Sequence, residues 1–322
     1  MKLVFADARP GRRFERLFLA PSGTSLALLD RLGPKTPTTI ILYRKDGEAW
    51  VRSEDVSLPE RVLSLTFSPE GDRLFASTDD RLLKYSLRTR RIEEFRFPGA
   101  AGATELEWIA EDRIAASYPE VWPPVLFLSP FRTASSSSSP ARKEIAKHLP
   151  RLAASRTRRW LGFCHAFEYV FLIDAESGAT SPWGSAQSLT KEPVRTDRSW
   201  EGSHFARRIW FSADDAQLAV ASQPRDRSEW DEMGICVGAR DGSAKRLLRI
   251  ASHMGTVEVA PDFSVVAAAV SGQPGLIALW DLRSGQRREE IRVGTATRDI
   301  RYSKDGRLLA VACEESLSIF ER

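Results

Sequence analysis

The stretch FSPEGDRLFAS, residues 67–77, decides how this chain is read. An apolar segment ends at Phe67, a polar turn holds Gly71, and a small-residue segment leaves it. Glycine suits such a turn because it takes positive φ without the clash a Cβ brings. The phrase returns as FSADDAQLAVAS at 211–222, VAPDFSVVAAAV at 259–270 and YSKDGRLLAVAC at 302–313. A looser copy, LAPSGTSLALL, stands at 19–29. Each copy reads as strand, tight turn, strand. Self-similarity at a fixed period is the mark of a repeat architecture.

The residue after the first strand of each copy serves as a ruler. Clear markers are Pro21, Pro69, Ala213, Pro261 and Lys304. Pro21 to Pro69 and Ala213 to Pro261 are both steps of 48, and Pro261 to Lys304 is 43. The 144 residues from Pro69 to Ala213 make three such steps, so two degenerate copies must lie between them. ELEWIAEDRIAA (105–116, marker near Ala110) and RLAASRTRRWLGF (151–163, marker near Arg156) fill those places. Seven copies in 322 residues average 46, near the roughly 40–45 residues of a four-stranded propeller blade.

The expected fold is therefore all-β: a seven-bladed β-propeller of four-stranded antiparallel blades, forming one domain over 1–322. The blades are expected near 14–57, 62–97, 104–149, 151–183, 205–250, 255–293 and 296–322. Strands are lettered a to d from the axis outward. In the second copy they fall at 62–67, 73–77, 81–87 and 91–97. The last copy supplies a, b and c (297–302, 307–312, 316–320) but no d. An orphan strand at 2–6, before the first a strand at 14–19, is expected to pair there. That pairing would close the ring and remove two open sheet edges.

Composition fits a globular chain: 42% hydrophobic, 28% charged, net charge +4 and pI about 9.0. Arg supplies 38 of the 47 basic residues, a skew that GC-rich coding explains as readily as a need for bidentate contacts. Cys164, Cys236 and Cys313 sit singly in apolar segments of different copies. Their odd number and wide spacing argue against a disulfide framework or a Cys-rich zinc site. They read as buried free thiols, which suits a reducing compartment. The opening MKLVFADARPGRRF has no apolar run before its charges, and no segment approaches a membrane span. A cytoplasmic location is expected.

The pattern resembles WD40-type propellers over essentially the whole chain. The sixth copy matches best: Ser252–His253 stands at the Gly-His position, and Trp280–Asp281 matches the dipeptide that ends strand c. Elsewhere Tyr85–Ser86, Ile173–Asp174 and Phe320–Glu321 hold that place, so the chain is a divergent member of the pattern. The turn phrase also looks like those of TolB-type and peptidase-associated propellers. The resemblance implies a rigid platform for other proteins.

In this layout the b–c and d–a connections emerge on one rim, the top, and the a–b and c–d turns on the other. Three b–c connections are long, 30–38, 118–124 and 223–233, as is the d–a connection 184–203. They carry Trp122, Trp200 and Trp230 in polar settings, with Arg195, Arg198, Arg225 and Arg227 close by. Aromatics and Arg on loops of a rigid scaffold are the residue types that anchor binding partners. Trp122, Trp200, Trp230, Arg198, Arg225 and Arg227 are accordingly the expected partner-binding residues. The competing reading folds each Trp back onto its own blade. Trp50, Trp108, Trp160, Trp183, Trp210 and Trp280 lie in or beside strands and are expected to pack between blades.

Catalysis has little support. The four histidines are unpaired at ligand spacing, and no HExxH, GxSxG, P-loop or dinucleotide fingerprint occurs. No catalytic residue, cofactor or metal ligand is assigned. The leading reading is a non-catalytic scaffold, adaptor or sensor subunit whose partners are proteins of a multi-subunit assembly. A propeller enzyme or small-ligand binder with an axial metal is the alternative, since such sites assemble from separate blades. A third reading places nucleic acid on a basic lower rim built by Arg90, Arg91, Arg156, Arg158, Arg159, Arg287 and Arg288. Interspersed pairs such as Glu93–Glu94 and Glu289–Glu290 favour a mixed solvated surface there.

Overall fold

The phrase that opens the sequence reading becomes four strands, Val62–Phe67, Arg73–Thr78, Leu82–Ser86 and Arg91–Phe95, paired antiparallel in chain order. The inner strands are largely buried, whereas Arg91–Phe95 is almost wholly exposed. That gradient follows from position. Inner strands lie between neighbouring sheets and cover both faces, while the outermost meets water. The computed structural model describes residues 1–30, 37–79, 81–95, 102–110, 113–117, 125–128, 151–165, 169–185, 204–224, 232–251 and 256–322.

Among the described residues there are seven sheets and no helix. Six are four-stranded antiparallel blades. The third sheet has three strands, Glu105–Ala110, Arg113–Ser117 and Val125–Leu128. The expectation of seven four-stranded blades is thus corrected to six. The segment expected to complete the third sheet, 129–149, lies outside the described residues. Its sequence, with the run 135–139 all serine, offers little of the β-branched and aromatic content that strands draw on.

The core is divided among the gaps between sheets. Among the described residues seven apolar clusters occur, and each joins one pair of neighbours. Leu42 and Leu65 share one, Phe75 and Trp108 the next, and Leu17, Leu28 and Ala310 the one that joins the first sheet to the last. Full burial of each Leu or Ile contributes roughly 1.5–3 kcal/mol, so cohesion is spread round the ring. The strand tryptophans serve this packing. Trp50 joins the first sheet to the seventh, Trp108 the third to the second, and Trp210 the fifth to the sixth. Trp183 packs against the fifth sheet, and its indole N–H donates to the Ala239 carbonyl at 2.8 Å. The three cysteines are buried and not joined in disulfides.

Closure comes from the chain's first strand. Lys2–Ala8 pairs antiparallel with Ser316–Glu321, bringing Leu3 opposite Phe320 and Ala8 opposite Ser316. Phe5 meets the Tyr43 ring edge-on at 5.7 Å, and the Tyr43 hydroxyl donates to Asp7 at 2.7 Å. These contacts tie the closing strand to the first sheet as well.

The repeated a–b turn has one hydrogen-bond plan. Its first residue donates its N–H to the carbonyl five residues on, and its carbonyl accepts the N–H three residues on, as at Ser68, Ser155, Ser212 and Ser303. The Ser Oγ then accepts the N–H five residues on, closing the loop locally. The fourth turn position has positive φ. Gly71 (77°) and Gly306 (73°) meet that demand without strain, but Arg158 (63°), Asp215 (57°) and Phe263 (53°) hold it in the fourth, fifth and sixth sheets.

Removing residues 1–8 leaves the edge of Ser316–Glu321 unpaired and the Phe5 contact unmade. The expected outcome is a loss of about 3 kcal/mol or more, seen as a Tm drop of roughly 5–10 °C. Sheet-edge self-association should appear with it by size-exclusion chromatography. An unchanged Tm and elution volume would show that the strand contributes nothing to closure.

Candidate functional site: the axial cavity

The a strands converge on the axis, and the period-2 alternation of a strand turns every second side chain towards it. Counting back from each marker, five residues gives Arg16, Ser64, Glu105, Arg151, Arg208, Thr256 and Asp299. Counting back three gives Phe18, Thr66, Glu107, Ala153, Trp210, Glu258 and Arg301. Most of these residues line or border one cavity of ≈ 300 Å³. The turn residues Pro21, Ser155, Arg156, Arg158, Ala213, Pro261 and Lys304 also line it, so it opens on the a–b side.

The inner part of this cavity is a closed ion-pair network. Asp299, 5% exposed, accepts from the Leu17 amide (3.0 Å), the Ile300 amide (3.0 Å), Arg208 (3.1 Å) and Arg301 (3.4 Å). Glu258 accepts the Trp210 indole N–H at 3.0 Å and lies 3.4 Å from Arg208 and 3.8 Å from Arg301. Arg16 grips Glu105 through one nitrogen at 3.0 and 3.2 Å and donates to the Leu63 carbonyl at 3.0 Å. Arg301 also donates to the Leu17 carbonyl at 3.1 Å, and Arg208 to the Val257 carbonyl at 2.5 Å. Charges from the first, third, fifth, sixth and seventh sheets thus satisfy one another across the axis. Burial opposes the charge on Asp299, yet Arg301, Arg208 and the Leu17 amide outweigh it and hold the carboxyl below its ordinary range. Burial likewise opposes the Arg301 charge, and Asp299 and Glu258 overcome it.

The outer part is different. The Glu107 side chain makes no hydrogen bond among the described residues, and burial, then the nearby Glu105, push its carboxyl up to about 7. Arg301, Lys304 and Arg158 pull the other way. Lys304 donates to the Arg156 carbonyl at 2.9 Å, and burial, then Arg158, bring its ammonium down to about 8. Burial also lowers Arg158, against the pull of Glu107 and Glu70. The mouth is therefore a group of partly desolvated cations around one unpaired carboxyl.

Among the described residues no group of three His, Cys, Asp or Glu side chains is placed to hold a metal ion. The axial carboxylates Asp299, Glu258 and Glu105 are each engaged by guanidiniums. No described helix is long and apolar enough to cross a membrane.

The expected top-rim residues Trp122, Trp200, Trp230, Arg198, Arg225 and Arg227 lie outside the described residues, as do Arg195 and the pair Ser252–His253. The strands that flank their loops are described. The connection expected at 223–233 is shorter, because one strand runs to Pro224 and the next starts at Glu232. Of the matched Trp280–Asp281 dipeptide, Asp281 accepts the amides of Arg283 (3.0 Å) and Ser284 (2.6 Å) and pairs with Arg288, a turn-holding role. Arg288 and Arg287, which pairs with Glu290 at 2.8 Å, are thereby partly neutralised on the lower rim. The axial charges were missed by sequence reading, although the marker ruler with period-2 alternation places them.

No protein-family model matches the chain, and no curated protein sequence matches it. Solved structures do. The β-propeller domain of Cps50 (Swd1) from Myceliophteria thermophila is 13% identical, with 98% of each chain covered and a TM-score of 0.66. Hydrazine synthase from Kuenenia stuttgartiensis is 11% identical, covering 98% of this chain and 96% of that one, also at 0.66. At these identities the likeness is one of fold: the chain is an all-β propeller.

Asp299→Asn should cost about 3–5 kcal/mol at pH 7, because it strips a counter-charge from Arg208 and Arg301 in a buried site. Since the folded carboxyl sits below its unfolded value of roughly 3.9, this stability is present above that pH and is lost as pH falls through the lower, folded value. Denaturant melts of wild type and variant should therefore converge in strong acid. A variant as stable as wild type at pH 7 would contradict the network's role.

Proposed function

We propose that the chain is a non-catalytic interaction platform, a divergent WD40-like propeller that works in the cytoplasm as a scaffold, adaptor or sensor subunit. Its partners are proteins of a larger assembly, docking on the top rim through Trp122, Trp200, Trp230, Arg198, Arg225 and Arg227. The observation that carries this reading is the mutual engagement of Arg16, Glu105, Arg208, Glu258, Asp299 and Arg301 across the axis. It makes the centre of the ring a strut that braces five sheets, and a pre-organised scaffold lowers the cost of docking a partner. The likeness to other propellers along nearly the full chain supports a ring of this kind. The long rim connections supply aromatic and Arg side chains of the type that carry binding energy.

The test is capture from extract of the native host with the tagged chain, followed by the Trp200→Ala/Trp230→Ala double variant. Wild type should retain a defined set of proteins near stoichiometry. The variant, with its Tm unchanged, should lose them, since two aromatic anchors account for roughly 100-fold or more in affinity. Undiminished capture by the folded variant would remove this docking surface.

A further inference from the structure

The a–b mouth of the axial cavity holds cations that form no direct ion pair among the described residues, although Glu107 and Glu70 act on Arg158 and Glu107 and Asp215 on Lys304 from further off. Among the described residues the Arg158 guanidinium, half-buried, has no hydrogen-bond or ion-pair partner. Lys304, also half-buried, donates to the Arg156 carbonyl, and the Arg156 side chain is exposed and makes no ion pair among the described residues. All three line the same cavity. Deeper in that cavity Arg16, Arg208 and Arg301 are each matched by carboxylates. The contrast matters, because a desolvated guanidinium without partners is costly and an incoming anion relieves that cost.

The backbone points the same way. Arg158 occupies a positive-φ turn position that Gly23, Gly71 and Gly306 occupy in three other sheets and Asp215 and Phe263 in two more. An L-residue there costs on the order of 1 kcal/mol. The turn is clamped from the fifth sheet, where Asp215 accepts the amides of Arg156 (2.7 Å) and Thr157 (3.0 Å) and the Thr157 hydroxyl (2.5 Å). A strained but clamped residue sets a cation at the opening.

We propose that this mouth is a binding site for a compact divalent oxyanion of the phosphate or sulfate type, held by Arg156, Arg158 and Lys304. The planar guanidinium fork suits tetrahedral oxyanions, and the ammonium adds a point charge. A cavity of ≈ 300 Å³ admits such a group with a small body attached, against the rings of Phe18 and Trp210. The site is separate from the top rim and independent of the protein-docking role.

Glu107 makes the binding pH-sensitive. It faces Glu105 on its own strand, Arg301 and Lys304 from the seventh sheet and Arg158 from the fourth, with Arg16, Arg156, Arg208 and Glu258 on the surrounding walls. Below about pH 7 its carboxyl is neutral and does not repel an anion. Above that it is ionised, and above about 8 Lys304 loses its charge. Both changes weaken binding as pH rises.

Sulfate is the probe of choice because it stays divalent from pH 6 to 9. Calorimetric titration at constant ionic strength should find one site per chain, weakening at least tenfold between pH 6 and 8.5. Arg158→Gly should lower sulfate affinity at least tenfold while the anion-free Tm stays equal or rises, since glycine fits that φ. Glu107→Gln should raise affinity at least fivefold at pH 8 and leave it unchanged at pH 6. Arg91→Ala, on an exposed outer-strand cation, should change nothing. Inorganic phosphate and a sugar phosphate, compared at pH 7, separate the sources: tighter binding of the ester identifies a phosphorylated small molecule, and equal binding identifies the free anion. No saturable binding by wild type, or an equal loss in Arg158→Gly and Arg91→Ala, would overturn the proposal.

Discussion

Every sheet in this protein has two faces to cover, and only a closed ring covers all of them. The pairing of Lys2–Ala8 with Ser316–Glu321 is the contact that closes it. Without that pairing the seventh sheet ends on a bare edge, and the tie from Phe5 and Asp7 to Tyr43 of the first sheet is lost with it. The apolar cluster of Phe14, Leu17, Leu28, Ala310 and Ile319 depends on the same closure, since its residues come from the two ends of the described ring. Cohesion elsewhere is local, gap by gap, which is how repeat architectures divide their stability.

Closure forces the inner strands together, and that crowding shapes the axis. Side chains there have no neighbouring sheet to pack on, so they either remain small or satisfy one another. This chain does the second in the inner layer, where Asp299 collects four donors. The outer layer is left incomplete: Glu107, Arg158 and Lys304 influence one another without forming an ion pair. One end of the axis is therefore a brace and the other an opening with a charge imbalance.

The fold was legible because its signal is local and repeated. The turn phrase at 67–77 predicts the pair Val62–Phe67 and Arg73–Thr78, and the orphan segment at the chain's start predicts the closing strand. The third sheet was harder, since ELEWIAEDRIAA has neither the turn serine found at Ser68, Ser155, Ser212 and Ser303 nor the turn glycine found at Gly23, Gly71 and Gly306, and the segment after it is dominated by serine. The axial site was only half legible. Alternation along the a strands places Arg16, Glu105, Arg208, Asp299 and Arg301 towards the axis, but which charges meet depends on the ring's curvature, and nothing in the spacing of Arg16 and Glu105 announces a contact. The positive φ of Arg158 was also hidden, because an arginine stands where three of the other copies have glycine, as Asp215 and Phe263 do in two more. The choice of Trp122, Trp200 and Trp230 as rim anchors rests on loop length and residue type, and these residues lie outside the described residues.

Hydrogen–deuterium exchange on the intact protein tests the closed ring most directly. The account predicts that amides of Lys2–Ala8 that face Ser316–Glu321 are protected to within about tenfold of those in Ser316–Glu321 itself, because both exchange through the same opening of the seventh sheet. Exchange of the first eight residues at the rate of an unstructured chain, with Ser316–Glu321 still protected, would contradict closure and the braced axis that depends on it.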